Sequence, residues 1–222
     1  MSTDPARASG ESCGESLVAI LRGLEPGRAT AIGDAAYAAG FRAIEVPLNS
    51  PDPFTSIERL VRHLPRDCQV GAGTVLSVED VGRSHAAGGR LIVAPNCDPA
   101  VIRAATQLQL RILPGIATAT EAFAALHAGA TQLKLFPAVT YGPRHLQALR
   151  AVIPVHVAML PVGGVAIESL GDWVAAGASG FGFGSELFRP DYSIEEITAR
   201  ARRIVAAFRA VRGARESGRA SP

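Results

Sequence analysis

The sequence predicts an α/β fold of the (β/α)8 TIM-barrel type, formed as a single domain. Three observations lead there. Eight short apolar runs with strand character alternate with eight alanine-rich helical stretches. Four of those helical stretches end in Ala-Gly just before the next strand, where glycine serves as a helix C-cap. No linker and no second composition regime divides the 222 residues, so one domain with a substantial core follows. Strict βα alternation implies a parallel sheet with right-handed crossovers. Eight units in this length fit a closed barrel. A doubly wound open sheet is the alternative, weakened because no G-x-G-x-x-G opens the first helix.

In chain order, the strand candidates are "LVAILRG", "AIEVPLN", "QVGAGTV", "RLIVAPN", "RILPGI", "QLKLFPA", "HVAMLPVGG" and "SGFGFGS". Each is short, apolar and bounded by glycine, proline or polar residues. Between them run "AIGDAAYAAG", "SIERLVRHL", "VEDVGRSHAAG", "AVIRAATQL", "EAFAALHAG", "RHLQALRAV" and "SLGDWVAAG". Asp98 before Pro99, and Thr118 or Thr120 before Glu121, are N-cap signals. The last helix, "ARARRIVAAFRAVRGAR", carries Ile204, Val205, Phe208 and Val211 at helical spacing, with its arginines on a solvated face. The expected boundaries are a polar tail over 1–15, the barrel over 16–213 and a second tail over 214–222.

A formal net charge of +2 gives no electrostatic case for nucleic acid. No run is long and apolar enough to span a bilayer. The start, "MSTDPARASGESCGES", lacks the apolar core of a secretory signal. Cys13, Cys68 and Cys97 are scattered and odd in number, which suggests a reducing cytosol and a cytoplasmic protein. None of His63, His85, His127, His145 and His156 ends a strand, and no metal-ligand spacing occurs. No serine lies in a nucleophile elbow.

In a barrel of this type chemistry gathers at the C-terminal ends of the strands. The polar residues there are Arg22, Glu45 with Asn49, Thr74, Asn96 and Lys134, and the last two strands end in Gly163-Gly164 and Gly184-Ser185. Lys134 is the only lysine; the other 21 of the 22 Lys and Arg residues are arginine. It lies between leucines, where an ammonium costs free energy unless it is paired or loses its proton. Arg cannot be deprotonated in a protein, and Lys can. A buried lysine of lowered pKa is an amine nucleophile suited to a Schiff base; the bland alternative is a side chain that snorkels out of the strand end. Glu45, the only acid inside a strand, lies between Ile44 and Val46. Burial there raises a carboxyl pKa and suits it to moving protons; the alternative is a structural ion pair with Arg22 or Lys134. Paired glycines at both of the last strand ends suit phosphate held by backbone N–H groups.

These residues resemble a known family. "AILRGL", "AIEVPLNSP", "VGAGTVL", "LIVAPN", "PGIATATEAFAALHAGA", "LKLFPA", "PVGGV" and "GFGFGSELFRP" are similar to segments of the bacterial class I aldolases that cleave 2-keto-3-deoxy-6-phospho-sugar acids. The likeness covers roughly residues 16 to 210. It implies that Lys134 is the Schiff-base lysine and Glu45 the proton shuttle. Arg22 and Thr74 would hold the keto-acid end, and Gly163, Gly164, Gly184 and Ser185 the phosphate. Asn49, Pro114, Phe136 and Val162 would complete the substrate contacts. The resemblance implies a small keto-acid phosphate as substrate, no cofactor, no metal and a homotrimer. Val162 and Asn49 depart from the gluconate-type pattern, which resembles "PTGG" at the seventh strand and has Arg after the second. Those departures point to the galactonate epimer. The gluconate epimer or 4-hydroxy-2-oxoglutarate remains the near alternative, and a non-aldolase phosphosugar-binding or isomerase barrel the distant one.

Overall fold

A computed structural model describes residues 17–219. The expected N-terminal tail lies outside the described residues. Nine strands alternate with eight α-helices: β1 (Leu17–Ile20), α1 (Ala29–Ala39), β2 (Ala43–Pro47), α2 (Pro53–His63), β3 (Gln69–Gly73), α3 (Val78–Ala86), β4 (Leu91–Val93), α4 (Pro99–Gln107), β5 (Arg111–Leu113), β6 (Gly115–Ile116), α5 (Ala119–His127), β7 (Gln132–Leu135), α6 (Ala138–Arg150), β8 (Ala158–Pro161), α7 (Leu170–Ala175), β9 (Phe181–Phe183) and α8 (Ile194–Arg219). Helix α8 runs past the boundary expected at 213.

The closed eight-stranded barrel that the sequence predicts is not formed. Six strands make a curled half-barrel in the order β5-β4-β3-β2-β1-β9, and β6-β7-β8 make a separate three-stranded sheet. Every ladder is parallel. Pro114 is the cause at one seam. It has no N–H with which to continue the ladder, so "RILPGI" is split into β5 and β6. The Pro114 carbonyl instead accepts from the Lys134 N–H at 2.9 Å, which opens the second sheet. At the other seam β8 ends at Pro161, and one isolated bridge, Val162 to Gly182, reaches β9.

Each strand presents alternate residues to two faces. Leu17, Ala19, Leu133, Leu135, Phe181 and Phe183 face the helices and join the large outer core. Val18, Ile20, Ala43, Leu91, Val93, Leu113, Leu160 and Val162 form a smaller inner cluster, with Phe136 packed on it. The same alternation turns Glu45, two residues after Ala43, and Lys134, two before Phe136, toward the interior. Helix α8 docks through Phe208, whose ring meets Phe181 edge-on at 5.7 Å between centroids.

Local signals in the sequence account for the helix ends. Asp98 caps α4 by accepting from the Ala100 N–H at 2.7 Å. Thr118, rather than Thr120, caps α5 in a reciprocal box with Glu121. Ser77 caps α3 by accepting from the Asp80 N–H. The glycine of each Ala-Gly ending (Gly40, Gly88, Gly129 and Gly177) has φ between 84° and 116°, the left-handed backbone that stops a helix.

Candidate active site

A cavity of about 240 Å³ opens at the C-terminal ends of the strands, between the two sheets. Of the residues singled out in the sequence, it brings together Arg22, Glu45, Lys134, Phe136, Val162, Gly163, Gly164, Gly184 and Ser185. Asn49 and Thr74 do not line it but are tied to it through Arg22. The Arg22 guanidinium donates to Asn49 Oδ1 at 2.5 Å and to Thr74 Oγ1 at 3.3 Å. Thr74 holds a left-handed φ of 55°, which strains a non-glycine residue. Pro114 contributes its carbonyl to the Lys134 backbone and is not among the lining residues.

Lys134 and Glu45 are 6% and 2% exposed, deep enough that water cannot screen them. Burial pushes the Lys134 ammonium below its usual pKa. The Glu45 charge opposes that shift, and the Arg22 charge adds to it. Burial lifts the Glu45 carboxyl to about 7, against the attraction of Lys134 and Arg22. A carboxyl lifted to about 7 is poised to exchange protons near neutral pH. Glu45 Oε2 is buried with no hydrogen-bond partner. The Lys134 Nζ lies 4.5 Å over the Phe136 ring centroid, a contact that steadies the side chain on the apolar wall.

Another part of the cavity wall is made of backbone. Gly163 and Gly164 have φ of 93° and 75°, and Gly184 has open space where a Cβ would stand. A Cβ on Gly163 would meet the Phe136 ring at 3.1 Å, and one on Gly164 would meet Val139 at 2.6 Å. Gly163 and Gly164 are bare because the chain there folds back closely on Phe136 and on Val139 of α6. The resulting surface can present N–H groups to an anion.

Ile20, Val165, Gly182, Phe183 and Glu186 also line the cavity. Sequence reasoning gave Glu186 no role, although it lies in the quoted "GFGFGSELFRP". A larger depression of about 800 Å³ opens around Arg111. That guanidinium is committed to Gln69 and Gln132, and no acid lines the depression. Among the described residues, no group of three or more His, Cys, Asp and Glu could hold a metal ion. No helix there is long and apolar enough to cross a membrane.

A buried lysine and carboxyl in a small cavity, beside a wall of bare glycine backbone, suit covalent chemistry on a carbonyl. The chain matches the family described as "Aldolase: KDPG and KHG aldolase" over residues 14–204, and it belongs to that family. It is an aldolase. Among its relatives is the 2-dehydro-3-deoxy-6-phosphogalactonate aldolase of Escherichia coli (strain K12), 46% identical over 193 residues, 87% of this chain and 94% of that one. A solved structure described as "Native KDPGal structure" superposes with a TM-score of 0.87 at 45% identity, over 89% of this chain and 96% of that one. The KDPG aldolase of Legionella pneumophila superposes with a TM-score of 0.76 at 25% identity, over 90% and 95% of the two chains. That structure holds pyruvate captured at low pH as a covalent carbinolamine intermediate.

Proposed function

We propose that this aldolase cleaves 2-dehydro-3-deoxy-6-phosphogalactonate to pyruvate and glyceraldehyde 3-phosphate through a Schiff base on Lys134. The observation that carries the reading is the buried Lys134–Glu45 pair in the cavity whose wall includes Gly163, Gly164, Gly184 and Ser185. The relative's name and the carbinolamine of the Legionella enzyme support it.

The Lys134 amine attacks the C2 ketone. Glu45, directly or through a water, supplies the proton with which the carbinolamine loses water. The protonated imine then draws the electrons of the C3–C4 bond as it breaks, leaving an enamine. Glu45 takes the C4 hydroxyl proton, and glyceraldehyde 3-phosphate departs. The enamine gains a proton at C3, and water releases pyruvate from Lys134. Arg22, held by Asn49 and Thr74, binds the substrate carboxylate. The glycine wall and Ser185 bind the phosphate. The iminium is the electron sink, so no divalent ion is needed, and EDTA leaves turnover unchanged. Activity lost to EDTA and restored by a divalent ion would contradict this.

The epimer is the finer part of the proposal. The galactonate and gluconate substrates differ at C4, and Val162, buried in the wall, cannot hydrogen-bond the hydroxyl there. Apolar discrimination is modest, so the galactonate epimer is preferred by roughly 10- to 200-fold in kcat/KM. Val162→Thr narrows the gap. Equal or higher kcat/KM for the gluconate epimer in the wild type would refute the assignment and leave the imine chemistry standing.

We also infer a homotrimer in the cytosol. Exposed Leu76, Val78, Val139 and Val155 offer apolar surface for assembly. Sedimentation as a monomer at micromolar concentration would contradict it.

A further inference from the structure

We propose that Gly73 is the seat of the Glu45 carboxyl: its missing side chain leaves the space in which that group lies, so Gly73 is a positioning residue for proton transfer. In the β2–β3 ladder Glu45 stands opposite Gly71, and Gly73 is the next residue on the same face of β3. The segment "VGAGT" is thus bare at both positions beside Glu45. The two glycines serve different neighbours. A Cβ on Gly71 would run into the backbone of Leu91 on β4, which has no room to move. A Cβ on Gly73 would coincide with the Glu45 carboxyl. Its three nearest atoms would be Oε2, Cδ and Oε1 of that side chain, the last at 2.7 Å, and no backbone atom is nearer. Gly73 is not in the left-handed region, so its backbone conformation admits alanine. One added methyl would therefore meet first the free end of a flexible side chain, the Glu45 carboxyl.

The seat explains how a fully buried carboxyl with an unpartnered oxygen stays in one place. Between strands, with no hydrogen bond to Oε2, it is held by shape. Lys134 and Arg22 are the charged groups that face it. Gly73 also hands the chain to Thr74, whose hydroxyl accepts from Arg22, so the seat and the keto-acid clamp share one turn of chain.

The inference rests on the reading of Glu45 as proton carrier, which Glu45→Gln tests by turnover. Gly73→Ala tests the seat by a readout that needs no turnover. The Glu45 midpoint, followed by carboxyl ¹³C NMR, moves down from about 7 in Gly73→Ala as the group leaves its seat for the cavity. In the same variant kcat falls by about 100-fold, the effect of misplacing a catalytic group by roughly 1 Å, while KM stays within about threefold. In the Glu45→Asp background, where the acid is one methylene shorter, Gly73→Ala costs nothing further. An unmoved midpoint with wild-type kcat, or additive losses in the double variant, would overturn the seat. If Gly73→Ala does not fold, the Glu45→Ala background decides. There the methyl has room, and melting stays within about 2 °C of Glu45→Ala alone; a larger drop would overturn the inference.

Discussion

Around Lys134 the cavity wall is made of titratable side chains, and around Gly163 and Gly164 it is bare backbone. Lys134 and Glu45 are buried, charged in one of their forms and pushed toward neutrality. Gly163 and Gly164 adopt left-handed φ and carry no side chain at all. Under the proposed function, the difference follows from two tasks. Making and breaking a covalent bond needs groups whose protonation changes during the cycle, and burial sets where that change occurs. Holding a phosphate needs fixed dipoles that do not titrate, and main-chain N–H groups supply them. Substitutions in the two regions should therefore damage different kinetic constants.

The largest expected effect is at Lys134. Lys134→Arg keeps a cation but cannot form an imine, so kcat/KM falls by about 10,000-fold or more. Steady-state cleavage measures this, and an active variant would dissolve the contrast. Glu45→Gln comes next, with kcat lower by about 100- to 10,000-fold, the usual worth of a general acid–base. In the glycine wall, Gly164→Ala places an L side chain at φ 75° against Val139. Its strain of about 1–2 kcal/mol distorts the cradle and raises KM for the phosphorylated substrate by about tenfold, with kcat nearly intact. Comparison with an unphosphorylated analogue sharpens the point: equal losses on both substrates would show that the glycines do not serve the phosphate.

The smallest effect is on stability. The unfolded Glu45 carboxyl titrates near 4.5 and the folded one near 7. The folded protein keeps that proton longer, so stability is fully present below pH 4.5 and declines as pH rises through 7. Lys134, whose pKa is lowered, has the opposite slope at higher pH. Glu45→Gln removes the first decline. Its melting temperature should gain on the wild type by at least about 2 °C more at pH 8 than at pH 4.5. A constant difference across that range would mean that Glu45 titrates as an ordinary carboxyl.

Both regions stood out in the sequence, for different reasons. Lys134 stands out because a charge between leucines conflicts with its surroundings, and Glu45 between Ile44 and Val46 does the same. The paired glycines were legible because both close a strand. The alternation of strands and helices, and the Ala-Gly helix ends, were legible because periodicity and caps are local. What escaped depends on neighbours distant in sequence. "RILPGI" reads as one strand, and only the pairing of Lys134 with the Pro114 carbonyl shows that the sheet breaks there. The gap between β8 and β9 is likewise a matter of reach, with one bridge at Val162. The left-handed Thr74 has no local signature. Gly73 looks like any strand glycine until the Glu45 carboxyl is found in its place.

The central claim is that Lys134 forms the covalent bond, and trapping tests it most directly. Pyruvate with borohydride should reduce the imine, inactivate the enzyme and add a reduced pyruvyl group to the peptide carrying Lys134. Because the chain has no other lysine, the N-terminal amine is the only other amine that could be labelled. Peptide mass spectrometry separates the two. Label on the Lys134 peptide, with activity lost in proportion, is the predicted result. Inactivation with that peptide unmodified, or full activity with Lys134 labelled, would contradict the account.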